Sequence, residues 1–442
     1  MTIYNLVSLA GIFILAAICW ALSTNHRLIN WRVVVGGIGI QLLVGLLVFR
    51  AGIGVRAFYI LNDGLIAILE RASEGTRFVF GPLAVPSGQA GSLGFILAFQ
   101  GLPTIIFFSA LIAILYHIGL MQLLIRSFAY CFHRLLRVSG AESLVAASNI
   151  FVGVESVLTV RPYLAEMTRS ELCTVLTAGM ATVASNVLAI YVITLKGQFP
   201  AIAGHIVSAS ILSAPAAIVA SKLIWPEDGR PRTMGIQAEP FVPEQQGLFE
   251  SIINGANAGV RMVVGIVALL IAVLGLVSVI DLGLTRLGHL IGLRSAGGGA
   301  LSLKGLCACL FYPLTIIVGV PLSDAWQIAR IIGQRLIVTE VPAYQELATV
   351  LANGLLHYPQ RSAVIATYAL CGFAHLASIA IFAGGISAIA PNRTADVARV
   401  SLRALVAAAI ACMMTAAVAG AFFTGDSILF GRPGVDGLAN LH

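Results

Sequence analysis

Two acidic residues stand where an acid is costly. Glu155 lies in Asn149-Ile-Phe-Val-Gly-Val-Glu-Ser-Val-Leu-Thr-Val-Arg-Pro162, two residues after Gly153, and Glu340 lies in Thr339-Glu-Val-Pro342. Both stretches are otherwise apolar enough for the interior of a bilayer. A carboxylate at mid-membrane costs roughly 2.5–3.5 kcal/mol on insertion scales, so it faces a bundle interior or a polar cavity and binds something there. The neighbouring glycine and proline break helices, and the freed backbone groups are tolerated at that depth only where they line a cavity or meet a ligand. Two more interruptions, Thr182-Val-Ala-Ser-Asn186 and Gly372-Phe-Ala-His-Leu-Ala-Ser378, set hydroxyls, an amide and an imidazole inside apolar runs. Together these groups can recognise a polar ligand. The carboxylate accepts strong hydrogen bonds, the imidazole donates or accepts one per nitrogen, and helix carboxyl ends with freed carbonyls favour a cation. The structural alternatives are that Glu155 ties two helices together and that His375 is a packed core residue.

The elements that must hold these residues follow from composition. Of 442 residues 59% are hydrophobic and 10% charged, and the mean hydropathy is +0.96, which excludes a soluble core with a polar surface and predicts a polytopic membrane protein in contact with lipid. The net charge of +7 falls in short loops, as in positive-inside topology, and implies no nucleic-acid partner. The seven cysteines include no Cys-x-x-Cys pair and read as small packing residues. Residues 5–22 read as a retained first span, and the basic connection His26 to Arg32 places the N-terminus outside. Further spans are predicted near Val33–Phe49, Ala57–Leu69, Pro103–Leu123, His205–Ile224, Met262–Ile280, Leu301–Val320 and Ala404–Phe423. An interfacial helix is predicted near Gly94–Gln100 and a basic interfacial helix around Arg126 to Arg137.

The order of an acid at a broken hairpin, then an interrupted helix, then a plain span occurs twice, in 139–224 and 320–423. That is the mark of a transporter built from two repeats, with its sites where the interruptions meet. The fold expected is an all-α polytopic membrane protein of about eight transmembrane helices plus two re-entrant helical hairpins in two inverted repeats. Its expected segments are 1–94 (N-terminal helices and loop), 95–248 (scaffold helix, first hairpin and first repeat), 249–319 (scaffold helix and connector), 320–424 (second hairpin and second repeat) and 425–442 (tail).

The runs Ser139-Gly-Ala-Glu-Ser, Asn149-Ile-Phe-Val-Gly, Arg161-Pro-Tyr-Leu-Ala-Glu-Met-Thr-Arg-Ser-Glu171, Glu340-Val-Pro-Ala-Tyr344 and Ala369-Leu-Cys-Gly-Phe-Ala-His-Leu-Ala-Ser378, with Gly384-Gly385, resemble the concentrative nucleoside transporter family over residues 95–424. The resemblance implies a homotrimer in the cell membrane, the bacterial inner membrane, that drives nucleoside uptake with a cation gradient. It implies that the first hairpin tip, Gly153, Val154, Glu155 and Ser156, contacts the nucleobase, and that Glu340, Phe373, His375 and Ser378 contact the ribose. Two departures stand out. Where the family commonly reads Gly-Gln-Thr-Glu-Ala-Pro this chain reads Gly153-Val-Glu-Ser-Val-Leu158, one residue shorter before Arg161, and His375 stands where an Asn is common. A valine side chain cannot hydrogen-bond a base edge, so a modified nucleoside or nucleobase-like solute is an alternative substrate. The resemblance places a sodium site at Asn149, Val152, Thr182 and Val183; Glu155 and His375 keep a proton as the alternative coupling ion. A membrane-embedded enzyme is disfavoured, since His-Glu-x-x-His, Gly-x-Ser-Gly and Gly-x-x-x-x-Gly-Lys are all missing. A channel would need rings of charge along a continuous pore.

Overall fold

The computed structural model describes residues 2–85, 91–153, 155–241, 247–291 and 301–424, which are helical and contain no strand. Val154, the turn at Pro86-Ser87-Gly88, the glycine-rich connection 295–300 and the tail 425–442 lie outside the described residues. The chain opens with α1 (Ile3–Ala21), α2 (Trp31–Phe49), α3 (Gly52–Phe80), α4 (Leu97–Gln100), α5 (Pro103–His117) and α6 (Leu120–Leu136). The first repeat is α7 (Gly140–Ser148), α8 (Ser156–Thr159), α9 (Arg169–Ala181), α10 (Ser185–Leu195) and α11 (Ile202–Ile224). After α12 (Leu248–Ile291) and α13 (Leu303–Ile317) comes the second repeat, α14 (Leu322–Ile337), α15 (Glu340–Ala352), α16 (Pro359–Leu370), α17 (Leu376–Ile389) and α18 (Thr394–Phe422). Seven stretches among the described residues are long and apolar enough to cross a membrane, and Leu303–Ile317 and Leu376–Ile389 are shorter apolar helices.

Three boundaries differ from the sequence expectation. α3 does not stop at Leu69 but continues through Glu70, Arg71, Glu74 and Arg77, because charges at helical spacing stay on one solvated face, with Arg71 and Glu74 paired at 3.1 Å. The span expected over 103–123 divides at Ile118-Gly119, and the basic helix α6 begins there. The second arm of the first hairpin is a single turn, α8, since Pro162 disfavours helix at the residue before it.

The two repeats enter from opposite ends of the bundle, and α1, roughly 28 Å long at 1.5 Å per residue, is the ruler that shows it. Just beyond the carboxyl end of α1, the Thr24 N–H donates to the Ile224 carbonyl at 3.0 Å. There the Lys222 Nζ sits 2.6 Å from Glu142 on the first arm of the first hairpin. At its amino end the Ser8 hydroxyl donates to the Val318 carbonyl at 2.7 Å, just before the second hairpin, and Arg361 donates to the carbonyls of Tyr4 and Gly319.

Both entry points are held by polar groups satisfied inside the fold. Ser139 with Glu142 and Thr168 with Glu171 form reciprocal capping boxes at the starts of α7 and α9. The Ser139 hydroxyl also donates to Glu171 at 2.6 Å, so the two caps interlock. Lys222 bridges Glu142, Glu227 and the Ser170 hydroxyl and so offsets part of the negative charge of these carboxylates. At the other end Asp324 accepts from the N–H groups of His357 and Tyr358 and from the Ser362 hydroxyl, and so caps the start of α16.

The centre of the bundle is α18, packed on α1, α9, α11 and α16. Its alanines, among them Ala404, Ala407, Ala408, Ala411 and Ala416, are buried. In a bilayer helices gain little by hiding apolar surface from one another, so close packing of small residues holds them. The 89% burial of the 202–224 span contrasts with 6% for the apolar window of α12. At 44 residues α12 is roughly 66 Å long, about twice the hydrocarbon thickness.

Candidate ligand and ion site

The four interruptions meet in the middle of the bundle. In the first repeat the hairpin tip lies on the break between α9 and α10. The Ser185 N–H donates to the Phe151 carbonyl at 3.2 Å, and a Cβ on Gly153 would stand 2.9 Å from that of Ala184. In the second repeat the break between α16 and α17 turns at Gly372, whose φ of +151° few L side chains adopt. A Cβ there would lie 2.7 Å from the Ala181 carbonyl oxygen at the end of α9, so the two breaks abut.

Glu340 is the first residue of α15 and is buried. Its Oε1 accepts from the Tyr191 hydroxyl of α10 at 2.6 Å, and the Tyr191 ring stacks on Tyr344 at 4.5 Å, so α10 holds the carboxylate in one orientation. Its Oε2 lies 3.4 Å from His375 Nε2. His375 is the N-cap of α17. Its Nδ1 accepts from the Ser378 N–H at 3.2 Å. A nitrogen that accepts carries no hydrogen, so in the neutral ring the proton is assigned to Nε2, which lies 3.0 Å from the Ser378 hydroxyl and faces Glu340.

A cavity of about 530 Å³ opens at this point, lined by Gly153, Thr339, Glu340, Phe373, His375 and Ser378, with Arg261, Met262 and Ile266 of α12 also in its wall. That volume is within the range of small-molecule pockets. Asn186 Oδ1 and Thr339 Oγ1, beside the first break and at the second tip, are buried with no hydrogen-bond partner among the described residues. Such atoms call for a ligand, ion or water.

Of the substrate residues expected from sequence, the structure brings together Gly153, Glu340, Phe373, His375 and Ser378 in the wall of this cavity. Glu155 is exposed at the start of α8 and does not line it. Ser156 is buried and donates to Asn149, and Val154 is outside the described residues. Three residues of the cavity and its support were not among the candidates named from sequence: Tyr191, Thr339 and Arg261. Tyr191 sits in an unbroken helix and Arg261 belongs to neither repeat, so only packing reveals them; Thr339, beside Glu340, had a signal in its hydroxyl at a hairpin tip.

The expected ion ligands are all buried. The Asn149 side chain spends an amide hydrogen on the Val145 carbonyl at 3.0 Å, which fixes its Oδ1 toward Ser156 at 2.9 Å across the tip. Thr182 spends its hydroxyl hydrogen on the Ala178 carbonyl at 2.9 Å and keeps its lone pairs. The carbonyls of Val152 and Val183 accept no hydrogen bond among the described residues. Neutral oxygens with lone pairs to spare suit a hard monovalent cation, so these residues fit sodium.

Comparison with known proteins agrees along nearly the whole chain. The Na+ dependent nucleoside transporter N-terminus model matches residues 10–83, the nucleoside recognition model 98–198, and the Na+ dependent nucleoside transporter C-terminus model 205–420. Solute carrier family 28 member 3 of Mus musculus is 37% identical over 429 residues, 94% of this chain and 58% of that protein. Sodium/nucleoside cotransporter 1 of Homo sapiens is 34% identical over 432 residues, 95% of this chain and 64% of that protein. The structure of CNTnw in an inward-facing substrate-bound state superimposes with a TM-score of 0.85 at 35% identity, covering 95% of this chain and 98% of that one. A CNTnw variant in an outward-facing state gives 0.86 at the same identity. The chain belongs to the concentrative nucleoside transporter family. It spans 58% to 64% of the length of the two curated relatives above.

Membership of this transporter family puts the departures in a physical light. Asn is among the best N-cap residues, and His375 does the same capping with Nδ1, so the substitution preserves the start of α17 while giving the cavity an imidazole N–H. Arg261 of α12 is a further hydrogen-bonding group in the cavity wall.

Proposed function

We propose that this chain is a secondary active transporter that takes up nucleosides in symport with sodium. The observation that carries the reading is the Glu340 carboxylate. It is fixed on one oxygen by Tyr191 and presents the other, 3.4 Å from His375 Nε2, to a cavity that the Ser378 hydroxyl also lines. An acceptor and donors so arranged suit vicinal hydroxyls of a ribose, with Phe373 as an apolar wall. Asn149, Val152, Thr182 and Val183 would hold sodium, which supplies positive charge at the junction of the first tip and the first break. An occupied ion site would fix the tip at Gly153, which walls the cavity, and so couple ion and solute binding. The relatives named for sodium-dependent nucleoside transport support this reading. A homotrimer is the assembly the family implies, and the apolar, unburied surface of α12 is available to lipid or to a second copy.

The base side favours a refinement. With Val154 in place of hydrogen-bonding side chains and Arg261 facing the cavity, we infer a preference for a modified nucleoside or nucleobase-like solute with an acceptor on the edge turned to α12.

The test is accumulation of labelled uridine in sealed vesicles under an imposed sodium gradient. Wild type accumulates it above the outside concentration, and Glu340→Gln abolishes accumulation while inserting and folding normally. Accumulation that ignores sodium and follows a pH gradient decides for the proton. Equal rates for Glu340→Gln and wild type remove the carboxylate from the site.

A further inference from the structure

A second cleft, of about 620 Å³, lies far from the ligand cavity in sequence and chemistry. It is lined by Arg32, Tyr130, His133, Arg134, Arg137 and Gly235. Three separate elements bring these residues together: the first turn of α2, the last turns of α6 with the residue after it, and the polar loop after α11. Among the described residues no acidic residue is in the lining. Acids nearby are engaged elsewhere: Glu239 with Arg126 at 2.8 Å, Glu227 with Lys222 at 3.1 Å, and Glu166 with Arg232. Arg32, Arg134 and Arg137 form no ion pair among the described residues. Arg134 only donates to the Tyr130 hydroxyl at 2.7 Å, and His133 is held by the Val138 carbonyl at 3.0 Å.

Arg137 adds an independent observation. Among the described residues it is the one non-glycine with a positive φ, +53°, at the end of α6 where glycine is the favoured residue. An arginine here sacrifices backbone comfort, and what it contributes in exchange is a third guanidinium in the cleft.

The rim identifies the ligand. Met234 lines the cleft, and Trp31, Leu135 and Ile236, each next in sequence to a lining residue, are exposed. By the positive-inside rule this is the cytoplasmic face, since the basic connection before α2 lies on the same side. We propose that this cleft binds the phosphate head group of an anionic phospholipid from the cytoplasmic leaflet, with the three guanidinium groups and the Tyr130 hydroxyl on the phosphate and the acyl chains against the apolar rim. Free phosphate shares the charge but not the chains, and the rim favours the lipid. Such a lipid would tie α2 to α6, which already touch where Gly36 meets Leu136.

Native mass spectrometry of the purified full-length protein, offered phosphatidylglycerol and phosphatidylcholine of matched chains, tests this. Wild type is expected to retain phosphatidylglycerol preferentially. Arg137→Gly relieves the left-handed backbone, so the melting temperature should hold or rise while phosphatidylglycerol retention falls about fivefold, the worth of one arginine near an anionic surface. Combining it with Arg32→Gln and Arg134→Gln should erase the preference, a change on the order of a hundredfold. Arg126→Gln, whose charge is already taken by Glu239, should leave it unchanged. Undiminished preference in the triple variant, or no preference in wild type, overturns the site. Displacement of the lipid by equimolar inorganic phosphate overturns the lipid and assigns the cleft to free phosphate.

Discussion

Tyr191→Phe removes one oxygen from the protein and should be felt by the ligand. The Tyr191 hydroxyl donates to Glu340 Oε1 at 2.6 Å, and both residues are buried. The phenyl ring that remains keeps the stack on Tyr344. A hydrogen bond to a charged group contributes about 1.5–3 kcal/mol. Part of that loss falls on the fold, because Oε1 is left unsatisfied. The rest falls on binding, because a carboxylate free to rotate must be reoriented by each arriving ligand. If most of it falls on binding, uridine affinity at saturating sodium drops roughly tenfold to a hundredfold. Tyr344→Phe is the control. It removes a neutral bond to the Thr367 carbonyl, 3.1 Å long, on a ring stacked against Tyr191, so it should lower the melting temperature and leave affinity within about twofold. Equilibrium binding and thermal unfolding of the three purified proteins separate the two effects. If Tyr191→Phe melts lower than wild type but binds uridine equally well, the bond only supports the fold and the presentation of Oε2 to a ligand is refuted.

Other perturbations address the remaining parts of the site. His375→Asn keeps an N-cap acceptor and should retain uridine binding. His375→Leu loses cap and N–H together, costing about 1 kcal/mol of stability and 1–3 kcal/mol of binding; equal weakening of uridine and 3′-deoxyuridine in the Leu variant would detach His375 from the sugar. Asn149→Ala and Thr182→Val should raise the sodium concentration for half-maximal uptake more than they weaken uridine binding at saturating sodium, and by reciprocity sodium should tighten uridine as much as uridine tightens sodium. Gly372→Ala places a Cβ 2.7 Å from the Ala181 carbonyl at a φ of +151°, so at least about 1–3 kcal/mol of strain should appear as a lower melting temperature; an unchanged melting temperature would mean that the two breaks are not in contact.

The sequence determined the class and the repeat. Only a membrane can accept a chain this apolar, and an acid beside a helix breaker inside a hydrophobic run is so costly that its position already marks a site. For that reason the stretches around Glu155 and Glu340 stand out in the sequence as candidate sites, while Asn149 stands out only through the resemblance to a family, and the Ser/Thr-x-x-Glu boxes at Ser139 and Thr168 are legible as helix starts. Tertiary structure decided what periodicity does not encode. Tyr191 lies in an unbroken helix and differs from a core tyrosine only because α10 packs on α15; Arg261 lines the cavity only because α12, outside both repeats, passes beside it. Glu155 carries the same local signal as Glu340 yet stands exposed and outside the cavity lining. Hydrophobic pattern is local and can be read along the chain. Which polar atom remains unpaired after packing depends on residues more than a hundred positions apart, and only the folded chain brings them within bonding distance.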